Sequence, residues 1–106
     1  MNIQITADKV DLSVEIKEMI NIKIGHKTDQ LLPDLNDEIK TAFVNIKRDK
    51  LGQYKISFDM LLPGKKGKIF AENQHFELIP AITGLREQIE TQIKKYKEEQ
   101  LPNARS

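Results

Sequence analysis

Six apolar residues near the end of the chain, Leu78, Ile82, Leu85, Ile89, Ile93 and Tyr96, recur at steps of 4, 3, 4, 4 and 3. That spacing places all six on one narrow stripe of an α-helix, whereas a strand would scatter them over both of its faces. At 1.5 Å per residue, a helix of about 24 residues is roughly 36 Å long. A rod with a single apolar stripe cannot bury itself, so the rest of the chain must supply a surface to cover it. Pro80 falls in the first turn, where the missing N–H has no intrahelical partner to lose. Gly84 lies off the stripe and costs about 1 kcal/mol relative to Ala in a helix interior.

The covering surface is legible upstream. Residues 2–7 alternate Ile3, Ile5 and Ala7 with Gln4 and Thr6, as a half-buried strand does. Ser13 is a candidate N-cap for a helix whose stripe is Leu12, Ile16, Met19, Ile20 and Ile24. Lys27 continues that stripe where an apolar residue would be expected, so either its stem snorkels or the helix frays after Gly25. Pro33 ends it. Three strand-like runs follow, over residues 38–47, 53–62 and 68–72. The middle one sets Tyr54, Ile56, Phe58, Met60 and Leu62 against Lys55, Ser57 and Asp59. Asp49-Lys50-Leu51-Gly52 and Pro63-Gly64-Lys65-Lys66-Gly67 are short and turn-rich and read as hairpin connections.

The order β-α-β-β-β-α predicts an α+β domain. A helical crossover makes the first two strands parallel, two hairpins add antiparallel strands, and both helices cover one face of a four-stranded mixed sheet. The 106 residues suit one such domain over residues 1–100, followed by a short polar tail, 101–106. No apolar run approaches the ~20 residues of a membrane span, and Met1-Asn2-Ile3-Gln4 starts no secretory signal, so a cytoplasmic location is expected.

Chemistry-bearing motifs are scarce. The absence of Cys removes disulfides, thiolate nucleophiles and sulfur-ligated zinc. His26 and His75 have no ligand spacing around them, Ser13 and Ser57 sit in no nucleophile elbow, and Gly64-Lys65-Lys66-Gly67 lacks the spacing of a phosphate loop. Catalysis, a cofactor and a metal are therefore not expected.

Charge is more informative in its distribution than in its sum of +1, which comes from 17 Lys and Arg against 16 Asp and Glu. Seven basic residues lie between Lys47 and Lys68, while residues 29–38 are acidic. Lys94, Lys95 and Lys97 bunch in the last turns of the long helix, where cations suit the macrodipole and where Glu87, Glu90, Glu98 and Glu99 offer helix pairs. Lys17, Lys23, His26 and Lys27 form a looser group on the first helix. If the helices lie side by side, the two groups can face a phosphate backbone together. The aromatic residues Phe43, Phe58, Phe70, Phe76, Tyr54 and Tyr96 are assigned mostly to the core, so phosphate and shape contact is expected rather than base stacking.

Two segments and the order of elements resemble a known family. The stretch from Val10 to Ile20 (VDLSVEIKEMI) resembles the opening of the first helix in the ribosome hibernation promoting factor family, also labelled sigma-54 modulation protein. Glu77-Leu78-Ile79-Pro80-Ala81-Ile82-Thr83-Gly84-Leu85 through Gln92-Ile93-Lys94-Lys95-Tyr96-Lys97 resembles its second helix, and Ile3-Gln4-Ile5-Thr6 fits its first strand. The resemblance implies a domain that binds the small ribosomal subunit and its rRNA at the decoding region. There it would block the path of mRNA and tRNA and silence ribosomes in stationary phase or stress. It implies no membrane, no small-molecule substrate, and a short form without a second domain. Carried over by position, the basic helix residues fall on Lys17, Lys23, His26, Lys95 and Lys97, with Lys94, Lys27 and Arg86 as further RNA-binding candidates. Gln88 and Thr91 stand where family members often place Lys and Arg. An outward ridge of Gly84, Gln88, Thr91 and Lys95 would then carry one positive charge. The alternative function under the same label is a protein-interaction module acting on transcription through a sigma factor.

Overall fold

The computed structural model describes residues 1–64 and 67–100. Strand β1 (Asn2–Asp8) half-buries Ile3 and Ile5 and exposes the residues between them. The chain leaves it through Lys9, which takes a left-handed φ of 61°. Helix α1 (Val14–Ile20) starts at Ser13, whose hydroxyl accepts a hydrogen bond from the Ile16 N–H at 3.2 Å and satisfies one orphan donor of the first turn.

The helix does not fray after Gly25. It passes into a π-helical stretch, Asn21–His26, and on into α2 (Lys27–Leu31), so that one composite helix covers the sheet. The wider π turn slips the register, and Thr28 rather than Lys27 takes the buried position after Ile20 and Ile24. The Thr28 hydroxyl is satisfied there by donating to the Ile24 carbonyl at 2.8 Å. Lys27 is displaced to the flank.

A single 3-10 turn, Asp37–Ile39, precedes strand β2 (Thr41–Arg48), so this strand starts three residues later than the alternation suggested. β3 (Tyr54–Leu61) and β4 (Lys68–His75) complete the sheet, β4 running three residues beyond its expected end. Asp49 builds the β2–β3 turn by accepting the Leu51 and Gln53 N–H groups at 2.9 and 2.8 Å, and Gly52 supplies the φ of 89° that closes it. Of the second hairpin, Lys65 and Lys66 lie outside the described residues, as does the expected tail at 101–106.

Strand order is β1-β2-β3-β4, with β1 parallel to β2 and the other pairs antiparallel, the expected mixed sheet. One face carries Ala42, Val44, Ile46, Ile56, Phe58, Met60, Ile69 and Ala71, all buried. Helix α3 (Leu78–Gln100) closes the core with Ile82, Leu85, Ile89 and Ile93, each contributing about 1.5–3 kcal/mol by burial. Behind α2, Lys40 is only 4% exposed and pairs with Asp29 at 2.8 Å, so this acidic residue neutralises a buried cation. Among the described residues, no helix is long and apolar enough to cross a membrane.

Candidate nucleic-acid interface

The composite helix and α3 lie side by side on the sheet with their C-terminal ends together. Lys27 reaches Glu90 across the seam at 3.7 Å, and Lys97 donates to the Leu31 carbonyl at 2.9 Å. Two helix C-termini at one end bring two partial negative charges together, and the lysines there offset both. Glu90 also accepts from Lys94, one turn on, at 3.1 Å. The Lys94 hydrogen bond holds the Glu90 carboxyl below its ordinary range of about 4.5, opposed by desolvation and assisted by Lys27.

The sequence-derived candidates therefore divide. Lys27, Lys94 and Lys97 converge on the helix–helix seam, with two ammonium groups sharing one carboxylate. Lys23, on the π stretch, and Arg86, on α3, are half-buried along elements that pack together. His26 and Lys17 are exposed, Lys17 on α1 towards the opposite end of the composite helix. Lys17, Lys23, His26, Arg86 and Lys95 make no ion pair or hydrogen bond with other described residues, leaving their donors free for an anion. Lys95 stands apart from its neighbours in sequence. It faces the β4 side of α3, where it lines a hollow of about 360 Å³ with Lys68, Gln92 and Tyr96.

The supposed outward ridge of α3 lies along the sheet edge instead. Gln88 accepts from the Glu72 N–H at 3.3 Å, and Gln92 accepts from the Phe70 N–H at 3.0 Å while donating to the Phe70 carbonyl. Asn73 donates to the Ala81 carbonyl at 3.0 Å beside Gly84, where a Cβ would collide with the Asn73 amide. The uncharged residues at Gln88 and Gly84 thus have positions that need amides and space. A lysine at 88 would lose the acceptor used by Glu72.

Sequence reasoning missed the aromatic residues. Phe58 and Tyr96 are in the core, but Phe43 is 55% exposed, Phe70 is 47% exposed, and Phe76 is exposed beyond β4. The signal was present in strand parity. Phe43 is out of phase with Ala42, Val44 and Ile46, and Phe70 with Ile69 and Ala71, so both must point away from the helices. Arg48, set over the Tyr54 ring at 5.1 Å, is a further cation that helix-based reasoning overlooked. Among the described residues, no group of three or more His, Asp or Glu is placed to hold a metal ion.

Comparison with known proteins agrees with this architecture. The ribosome hibernation promoting factor of Pseudomonas putida is 26% identical over 100 residues, spanning 94% of this chain and 90% of that protein. A ribosomal subunit interface protein from Coxiella burnetii has a similar structure, with a TM-score of 0.71 and 26% identity over 92% of this chain and 98% of its own. The N-terminal domain of Thermus thermophilus protein Y shares the fold, with a TM-score of 0.75 and 22% identity over 91% and 99% of the two chains. The family model described as sigma 54 modulation protein / S30EA ribosomal protein matches residues 3–100, from β1 through the last turn of α3. With sheet, composite helix and α3 all inside the match, the chain belongs to that family.

Proposed function

We propose that this chain is a stoichiometric, non-catalytic ribosome-binding protein that restrains translation in stationary phase or stress. Its seat is the decoding region of the small subunit, where the folded domain of residues 1–100 occupies the path of mRNA and tRNA. The cytoplasm is its place of action. The observation that carries this reading is the end-to-end likeness to a ribosome hibernation promoting factor, joined to a rigid helix pair edged with unpaired cations. Lys17, Lys23, His26 and Arg86 are available to rRNA phosphates as they stand. Lys27 and Lys94 become available when a phosphate displaces Glu90. Lys97 and Lys95 extend the surface at the end of α3, on its two flanks. Such contacts position a protein without reading sequence, which suits an occluding wedge.

The test is co-sedimentation with small subunits across a salt series. Binding should weaken steeply as salt rises, and Lys94→Gln with Lys97→Gln should flatten the log–log slope by about 1.4–1.8 for two lost phosphate contacts. Binding insensitive to salt, or recovery of a sigma factor without ribosomal particles, overturns the proposal.

A further inference from the structure

The sheet face turned away from the helices holds a feature that phosphate binding does not use. Register places Gln4, Phe43, Asp59 and Phe70 in one row across β1, β2, β3 and β4. Asp59 is thus flanked by two phenyl rings on the neighbouring strands. At about 4.8 Å between strands, the two rings stand about 10 Å apart with the carboxylate between and below them. Leu61 (71% exposed), Ile39 and Pro63 extend the patch, and an open hollow of about 530 Å³ runs along its Phe43 side, with Phe70 beyond it.

The charges in this hollow are one-sided. Glu38 and Asp59 line it, and among the described residues no cation does. Asp59 is half-buried and makes no ion pair or hydrogen bond with another described residue. Of the cations on the same face, Lys55 pairs with Glu72 at 3.3 Å, and Lys68 stands one row along, opposite Leu61 at the far side of the patch from Glu38. Phe70 is also held in place, because Gln92 clamps both of its backbone polar groups.

We infer that this row is a docking slot for an arginine side chain presented by a partner polypeptide. A guanidinium between the rings can stack on aromatic faces while its fork meets the Asp59 carboxylate in two hydrogen bonds. The apolar surface along Leu61 and Ile39 covers the residues flanking that arginine. A nucleic acid would find rings for its bases here, but two carboxylates against its phosphates, and the charge decides for a basic polypeptide. The slot is independent of the ribosome reading, since the opposite face carries the phosphate-binding cations.

The experiment is an NMR titration of the whole chain with an acetylated, amidated hexapeptide containing two arginines and two leucines. A lysine-for-arginine version and hexauridylate serve as comparison probes. The arginine peptide should shift the ring protons of Phe43 and Phe70 and bind several-fold more tightly than the lysine version. Asp59→Asn, a surface change whose fold the amide spectrum reports, should raise the Kd by about tenfold through loss of the charge-assisted pair. Ring shifts with hexauridylate and none with the peptide overturn the inference, as does an unchanged affinity in Asp59→Asn.

Discussion

Helix α3 meets strand β4 through neutral amides, and meets the composite helix through ammonium and carboxylate groups. On the first flank, Gln88 and Gln92 saturate backbone groups on the outer edge of β4, and Asn73 returns a bond to Ala81. On the second, Lys27 and Lys94 share Glu90. The difference is one of exchangeability. An amide bound to a backbone N–H is directional and unaffected by salt, so it fixes where the helix lies and blunts a sheet edge that would otherwise pair with another chain. An exposed ion pair is worth little in water and yields to a stronger anion. One flank is scaffold, and the other is where the proposed polyanion would compete.

The largest effect should come from breaking the amide flank. Gln92→Leu keeps the volume and removes both bonds to Phe70, one of them to each backbone polar group. A loss of about 1–3 kcal/mol is expected, seen as a lower urea midpoint at an unchanged m-value. The unblocked edge should also promote self-association at high concentration, measurable by light scattering. A smaller effect with sharper logic is expected at Gly84. Ala gains about 1 kcal/mol in helix propensity, yet its Cβ must displace the Asn73 amide and its bond to Ala81. Gly84→Ala should therefore lower stability by about 1 kcal/mol in the native chain, through overpacking. The same change should raise stability once Asn73→Ala has cleared the space. Equal effects in both backgrounds would remove the reason given for glycine at this position.

These two flanks were unequally legible in the sequence. The apolar stripe from Leu78 to Tyr96 and the alternation through Ile56, Phe58 and Met60 report burial directly, so helices and strands followed from periodicity, and the mixed sheet from the crossover and the two turn-rich connections. Ser13 announced its cap by residue type. The π turn could not be read, because Lys27 and Thr28 are adjacent and only packing decides which one the core admits. Nor could the amide ladder, because Gln88 and Gln92 acquire their roles from backbone groups about twenty residues away. A glutamine on a helix surface carries no local mark of what it will meet. The basic residues were visible as a set, but sequence spacing separates Lys94, Lys95 and Lys97 by one or two positions while the helix sends Lys95 to one flank and the others to the opposite side. Phe43 and Phe70 were assigned by hydrophobicity when strand parity was the stronger guide.

The smallest effect belongs to the ionic flank and is a matter of pH. Glu90 titrates below its ordinary range because its charged form is hydrogen-bonded to Lys94 and faces Lys27. A carboxyl whose folded pKa is depressed stabilises the folded state at pH values above its unfolded pKa. That contribution disappears as pH falls through the folded value. Thermal melts of Glu90→Gln should therefore lie slightly below those of the native chain at neutral pH, by less than the shift in Gln92→Leu, and should converge with them as pH falls from the ordinary carboxylate pKa of about 4.5 through the lower folded value. Raising salt at neutral pH should narrow the same gap while leaving that of Gln92→Leu intact, since screening acts on the ion pairs and not on the amide bonds. A salt-resistant Glu90→Gln gap would mean that both flanks are scaffold, and that the seam has no charge to surrender to a phosphate.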